Sequence, residues 1–227
     1  MKKTDPVHWY STPIHVIDFE GSRKTGVLEY GVTTLHNGEI QSTHTRLCAS
    51  KGEIPDTDIR QHGIEETDLK GTQPFDAEWN LFNQFRQSGI FCAHAARVEH
   101  LFLKNTWPHP AAAPAWLETE KTINNWGPWI DTLELYRTIF PDAKSHKLME
   151  LINLFSLDSE LNKHTKEHCP QTRKRPHCAL FDSLASALLL LKLGNTPGFE
   201  ELTTQWLLQY SAASSEARQA TQQRELF

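Results

Sequence analysis

The chain has 227 residues, of which 38% are hydrophobic and 22% charged, enough to build one domain with appendages and too apolar for a disordered segment. A formal net charge of −5 excludes a histone-like coat for nucleic acid. It leaves room for a nucleic-acid hydrolase, because an enzyme that gathers carboxylates around cations is acidic overall. No apolar stretch approaches the ~18 residues of a membrane span, and residues 1–13 lack the apolar run of a secretory signal. The four cysteines form no CxxC pair, which suits free thiols in a reducing cytoplasm.

In chain order, residues 14–19 (IHVIDF) read as a β-strand ended by Gly21-Ser22, and residues 27–35 as a second strand. Asn37-Gly38 is a hairpin signal, and residues 40–48 alternate as a third strand. A short helical piece is expected over 56–62. A helix over 75–88 has Pro74 at its start, aromatic residues at helical spacing and Gly89 at its end. Residues 90–93 form a small buried strand, and 96–104 a helix. The Pro-, Ala- and Trp-rich stretch 105–129 suggests an irregular insertion whose Trp107, Trp116, Trp126 and Trp129 favour core packing over base stacking. A strand at 129–132 leads into a helix over 133–140, followed by a serine-capped helix over 145–153, a basic, His-rich loop at 158–177 and a long apolar helix over 179–193. One more helix is expected within 195–210, and the polar tail from Ser211 reads as frayed or as a solvated helix. Strands first, then strands alternating with helices, predict an α/β domain with a mixed sheet flanked by helices. The division is an extension at 1–13, a domain at 14–194 and a C-terminal helix and tail at 195–227.

Asp18 and Glu20 stand two apart on the first strand, so their side chains share one face. Carboxylates at the end of a buried strand are costly unless protons or cations neutralise them. A second cluster, His94-Ala95-Ala96-Arg97-Val98-Glu99, follows the apolar strand IFCA. A third, His177-Cys178-Ala179-Leu180-Phe181-Asp182, opens the last long helix. Asp182 faces inward there, and His177 lies on the loop before it, able to swing over the same site. Hard oxygen ligands without thiolate favour Mg²⁺ or Mn²⁺ over zinc.

The order DxE, HAARVE, HCALFD resembles the DEDD-type 3′–5′ exonucleases of the histidine subclass, the proofreading-subunit family with a ribonuclease H-like fold. Gln61-His62-Gly63-Ile64, then Leu69 and Pro74-Phe75, is similar to the family's HGI loop. Ile130-Asp131-Thr132-Leu133-Glu134-Leu135, Phe140-Pro141 and Ser145-His146-Lys147-Leu148 resemble its "DTLELAR…FP…SHKL" segment. The resemblance covers roughly residues 14–193. It implies two divalent ions held by Asp18, Glu20, Glu99 and Asp182, with His177 as general base. An imidazole of ordinary pKa, about 6.5, can take a proton at neutral pH. It further implies a nucleic-acid partner with a free 3′ end. Single-stranded DNA is favoured and RNA is the alternative, acted on by a monomer or homodimer without a membrane. Ala95, Val98 and Glu99 depart from the family's HNAxFD, so a non-catalytic binder with a degenerate second-metal site is the competing reading.

Substrate contacts are expected from Phe19, Gly21 and Ser22 beside the metals, from His62 and Ile64 of the HGI loop as a wedge against the terminal base, and from His94. Arg173, Lys174 and Arg175, just ahead of His177, are expected to form a phosphate-gripping loop, with a plain solvated loop as the alternative. His164, His168, Cys169 and Cys178 match no complete zinc ligand set.

Overall fold

A computed structural model describes residues 8–116, 118, 120–199 and 202–211. Three strands, β1 (Ile14–Ser22), β2 (Gly26–His36) and β3 (Glu39–Leu47), form an antiparallel meander. Helix α1 (Asp56–His62) precedes a 3₁₀ turn, Phe75–Glu78, which runs into α2 (Trp79–Ser88). Strand β4 (Ile90–Ala93), helix α3 (Arg97–Thr106), the two-residue strands β5 (Ala113–Pro114) and β6 (Thr122–Ile123), and strand β7 (Trp129–Asp131) follow. The helices α4 (Thr132–Ile139), α5 (Leu148–Leu154), α6 (Asp158–His168), α7 (Ala179–Gly194) and α8 (Thr204–Tyr210) complete the described chain. The main sheet has the order β3-β2-β1-β4-β7, with β4 parallel to both β1 and β7.

Several expectations are corrected. Strand β1 does not stop at Gly21-Ser22 but runs to Ser22 through a register shift after Glu20. Gly21 adopts φ 142°, where a Cβ would collide with the Gly26 carbonyl oxygen, so the pairing survives the bulge only with glycine. The helix expected at 75–88 opens as a 3₁₀ turn before becoming α-helical at Trp79. Helix α5 begins at Leu148 rather than at Ser145, and its N-cap Lys147 makes no side-chain cap bond. Residues 158–168 of the expected loop are helix α6, a polar helix that buries only Leu161 and Thr165 and so carries little apolar periodicity. The tail beyond Ser211 lies outside the described residues.

Alternation along β1 decides which side chains meet. Ile17 and Phe19 enter an aromatic core with Tyr30, Phe75, Phe82, Phe85, Phe91 and Trp126. Trp107 and Trp129 pack against the same cluster, in keeping with a core role for the tryptophans of the insertion. Val16 and the acids at 18 and 20 belong to the opposite phase, on the side covered by α7, where the Ser183 hydroxyl donates to the Val16 carbonyl at 3.0 Å. Fourteen of the sixteen residues of α7 are buried, from Ala179 to Gly194, making it the central helix of the domain.

The first turn of α7 rests on Gly31, which stands opposite Asp18 on β2. A Cβ at Gly31 would lie 2.3 Å from the Ala179 carbonyl carbon and the Leu180 nitrogen, both backbone atoms that cannot rotate away. This close approach brings Asp182 over the Asp18 strand. Gly31→Ala should therefore destabilise the chain by about 1–3 kcal/mol, read in denaturant unfolding, and should weaken divalent-cation binding at the acids beneath α7. A variant with unchanged stability and unchanged binding would contradict this packing.

Candidate active site

Five predicted residues converge. Asp18 and Glu20 come from β1, Glu99 from the first turn of α3, Asp182 from the first turn of α7 and His177 from the preceding loop. Glu20, His177 and Asp182 each offer a ligand atom within 4.8 Å of the others. Glu20, Glu99 and Asp182 are 7%, 4% and 8% exposed. Asp18 Oδ2, Glu99 Oε2 and Asp182 Oδ1 are buried without a hydrogen-bond partner. Orphaned carboxylate oxygens facing one another are costly in themselves and suit a divalent cation, so the donor set fits hard metal ions.

Electrostatics give the same reading. Burial raises Asp18 well above the usual carboxylate range, with Asp182, Glu99 and Glu20 adding repulsion. Burial first, then Asp182 and Glu29, push Glu20 to about 8, with Arg173 and Arg175 opposing. Burial holds Asp182 at about 7 even though its carboxylate accepts the His177 amide at 3.0 Å. Glu99 is raised by burial and by Glu20, with the Phe19 backbone amide pulling the other way.

The scaffolding turns on Glu29, which no motif in the sequence singles out, and on Arg173 and Asp131 in roles the motifs do not give them. Glu29 stands opposite Glu20 in the β1–β2 register and is 2% exposed. Its carboxylate accepts from Arg173 Nε at 3.0 Å, from Arg173 Nη2 at 2.5 Å and from the Ala179 amide at 2.9 Å. Arg173 Nη1 donates to the His62 carbonyl at 2.7 Å. The catalytic-side loop, the start of α7 and the HGI loop are thus tied to one strand residue. An acid inside the apolar run VLEYGV was the available signal. Asp131 does similar work on the other flank. It caps α4 through Leu133 N and accepts the amides of Ala95 and Ala96 at 3.1 and 2.9 Å, fixing the turn that aims α3 and Glu99. Ala95 in that turn has φ 73°, a left-handed conformation better tolerated by asparagine or glycine.

The expected substrate contacts fare unevenly. Phe19 is turned into the aromatic core against Phe75, Phe82 and Phe102, so its ring does not face the acids. Ile64 is 1% exposed and packs with Leu28, Ile54 and Leu69; it anchors the loop and offers no wedge. His62 is buried, with Nδ1 accepting the Ile64 amide at 3.0 Å. Arg173 is corrected from phosphate grip to buried clamp, since Glu29 and His62 occupy its donors. Lys174 Nζ donates to the Lys166 carbonyl at 3.2 Å, and exposed Arg175 lies across Gly63, bonding the Gln61 carbonyl at 3.3 Å. Ser22 N donates to Thr25 Oγ1 at 2.9 Å within the turn after Gly21.

His94 holds both ring nitrogens in place, Nε2 on the His146 carbonyl at 2.9 Å and Nδ1 on Thr132 Oγ1 at 3.0 Å, and burial lowers it to about 4. It forms a neutral wall of a cleft of about 690 Å³ that runs from His177 and Asp182 past Arg137 to Lys144 and Lys147. Lys144 and Lys147 are both exposed; Lys147 lies within the Ser145–Leu148 motif and Lys144 just before it, and neither draws a substrate role from the sequence because that motif reads as a helix cap.

No protein-family profile matches the chain. The chain is 28% identical over 167 residues to the PolC-type DNA polymerase III of Halalkalibacterium halodurans, an alignment covering 74% of this chain and 10% of the polymerase. It therefore spans about a tenth of the length of that relative. Among solved structures, exonuclease X in complex with 5′-overhanging duplex DNA superposes with a TM-score of 0.59 at 21% identity, over 88% of this chain and 99% of that one. The nuclease domain of 3′hExo, a DEDDh family member bound to rAMP, gives 0.55 at 17% identity, over 87% and 98%. The fold is thus the ribonuclease H-like fold of these exonucleases.

Because Glu20 and Asp182 hold their protons more tightly than unfolded carboxyls near ~4, the folded chain binds the extra protons between about pH 4 and about pH 8. Stability is present below the unfolded pKa and falls as pH rises through the folded values of about 7 and about 8. Without divalent cations, Asp18→Asn should therefore melt higher than the parent by a margin that widens from pH 5 to pH 8, and Mn²⁺ should raise the parent far more than the variant. Thermal scans in EDTA and in Mn²⁺ check this; equal melting of the two proteins across that range would contradict it.

Proposed function

We propose that the protein is a metal-dependent 3′–5′ exonuclease. The observation that carries this reading is the convergence of four carboxylates, three of them with a buried, unpartnered oxygen, beside a histidine, on a fold that known 3′–5′ exonucleases share. Asp18, Glu20, Glu99 and Asp182 would hold two Mg²⁺ or Mn²⁺ ions. Such ions, when bound, neutralise the acids and stabilise charge on the attacking and leaving oxygens of a phosphodiester.

The remaining work falls to the chain itself. His177 takes a proton from the attacking water. Its left-handed backbone, φ 61°, and the bond from its amide to Asp182 hold it over the acids. The Gln61 side-chain amide lies 3.3 Å from His177 Nδ1. That contact, made through Gln61 Nε2, restrains the imidazole beside the acids. Lys144 and Lys147 line the approach where backbone phosphates would run. DNA is the favoured substrate, with exonuclease X bound to overhanging DNA as the support; the rAMP bound to 3′hExo supports RNA as the second reading. Four buried, unpaired cysteines agree with action in a reducing cytoplasm.

A 5′-labelled single strand with Mg²⁺ or Mn²⁺ should shorten into a ladder, a 3′-phosphate should slow it and EDTA should stop it. Immediate release of the labelled 5′ mononucleotide, or no cleavage in either metal, would refute the reading. Glu99→Gln should cut the rate by more than the ~10–100-fold carried by outer partners of metal ligands, while Glu99→Asp retains activity. A fully active Glu99→Gln would assign the metals to the other three acids alone.

The double variant Lys144→Ala, Lys147→Ala should raise KM for single-stranded substrate with little change in kcat. It should also reduce the slope of log affinity against log salt by ~0.7 for each phosphate that the lysines neutralise in the parent. An unchanged slope would place the strand elsewhere.

A further inference from the structure

Helix α6 carries a second set of ligands that shares no residue with the carboxylate site. His164, Glu167 and His168 stand at i, i+3 and i+4, hence on one helix face. One ligand atom from each lies within 4.8 Å of the other two, and Glu167 Oε2 is 3.9 Å from His168 Nε2. The two imidazoles lie nearly parallel, 11° apart with centroids separated by 5.9 Å, so both rings project to the same side. His164 Nδ1 is buried without a hydrogen-bond partner, a polar atom left unsatisfied by the protein.

The surroundings suit a cation. The group sits in the last turn of α6, at the negative end of the helix dipole, where the Lys166 carbonyl is already taken by Lys174 Nζ at 3.2 Å. Glu160, one turn earlier, and Glu167 favour positive charge there, while Lys163 and His168 oppose it.

We propose that His164, Glu167 and His168 bind one transition-metal ion of the Zn²⁺ class, with water in the fourth position. Two imidazoles and one carboxylate select a borderline ion over Mg²⁺, the reverse of the all-oxygen set around Asp18. Zinc at about 2.0–2.1 Å from each ligand needs ligand atoms about 3.4 Å apart, which the partly exposed side chains reach by rotating about their χ angles. The ion would strap the end of α6 directly ahead of Cys169 and the loop bearing Arg173 and His177. A ligand held only by the folded helix stabilises it by mass action.

The test uses a tag-free full chain carrying Asp18→Asn and Asp182→Asn, which silences the carboxylate site, titrated with Zn²⁺ by calorimetry and scanned thermally. One Zn²⁺ should bind per chain, undisplaced by millimolar Mg²⁺, and raise the melting temperature. His164→Ala and His168→Gln, checked for retained helicity by circular dichroism, should each weaken binding beyond the ~10–100-fold that an outer partner carries. Glu167→Gln should weaken it less, and His109→Ala, which alters an exposed histidine of the insertion, should leave it unchanged. If His164→Ala loses its fold, His168→Gln and Glu167→Gln decide the matter. No stoichiometric Zn²⁺ in the silenced parent, or unchanged affinity in the folded histidine variants, would overturn the proposal. The readout is binding, so it stands or falls independently of nuclease activity.

Discussion

Four carboxylates share a space that water barely reaches, and the architecture around them holds that repulsion in place. Isolated in an apolar interior, each charge would be prohibitively expensive, and the acids answer by holding protons far above their ordinary pKa. Nothing in the packing of α7 onto β1 and β2 requires acids at these positions. They are tolerated because a large apolar helix and an aromatic core supply stability elsewhere. That arrangement makes sense when a cation completes the site.

Two satisfied polar hubs keep the cluster in register. Glu29 and Arg173 form a buried, bidentate pair that also engages the Ala179 amide and the His62 carbonyl, joining β2, the HGI loop and the start of α7. Such a pair adds little net stability, but losing one partner strands the other and costs about 3–5 kcal/mol. Its value here is geometric, since Glu29 faces Glu20 and the Arg173 loop leads to His177. Asp131 plays the corresponding part beneath Glu99. Breaking either hub would move ligands without touching them.

The acids and the sheet were legible in the sequence because they rest on short-range signals. A DxE pair on a strand, Asn37-Gly38 between alternating runs and an apolar run after HCALFD each name an element and a face. Long-range pairings were not legible. Arg173 reads as a surface base until Glu29 is found 144 residues earlier in the chain. Phe19 and Ile64 read as substrate contacts by position, yet strand alternation and loop burial turn both inward. Helix α6 hides because a helix that buries only Leu161 and Thr165 has the composition of a loop, and only the helix puts His164 and His168 on one face together with Glu167.

Whether the buried carboxylates are a cation site decides the chemistry of this protein. Crystals soaked in Mn²⁺ and measured for anomalous scattering test this most directly. Two peaks are expected, enclosed by Asp18, Glu20, Glu99 and Asp182, with Glu99 turned inward to one of them. Crystals diffracting well enough to show the carboxylates, yet with no anomalous peak among them, would contradict a cation site there.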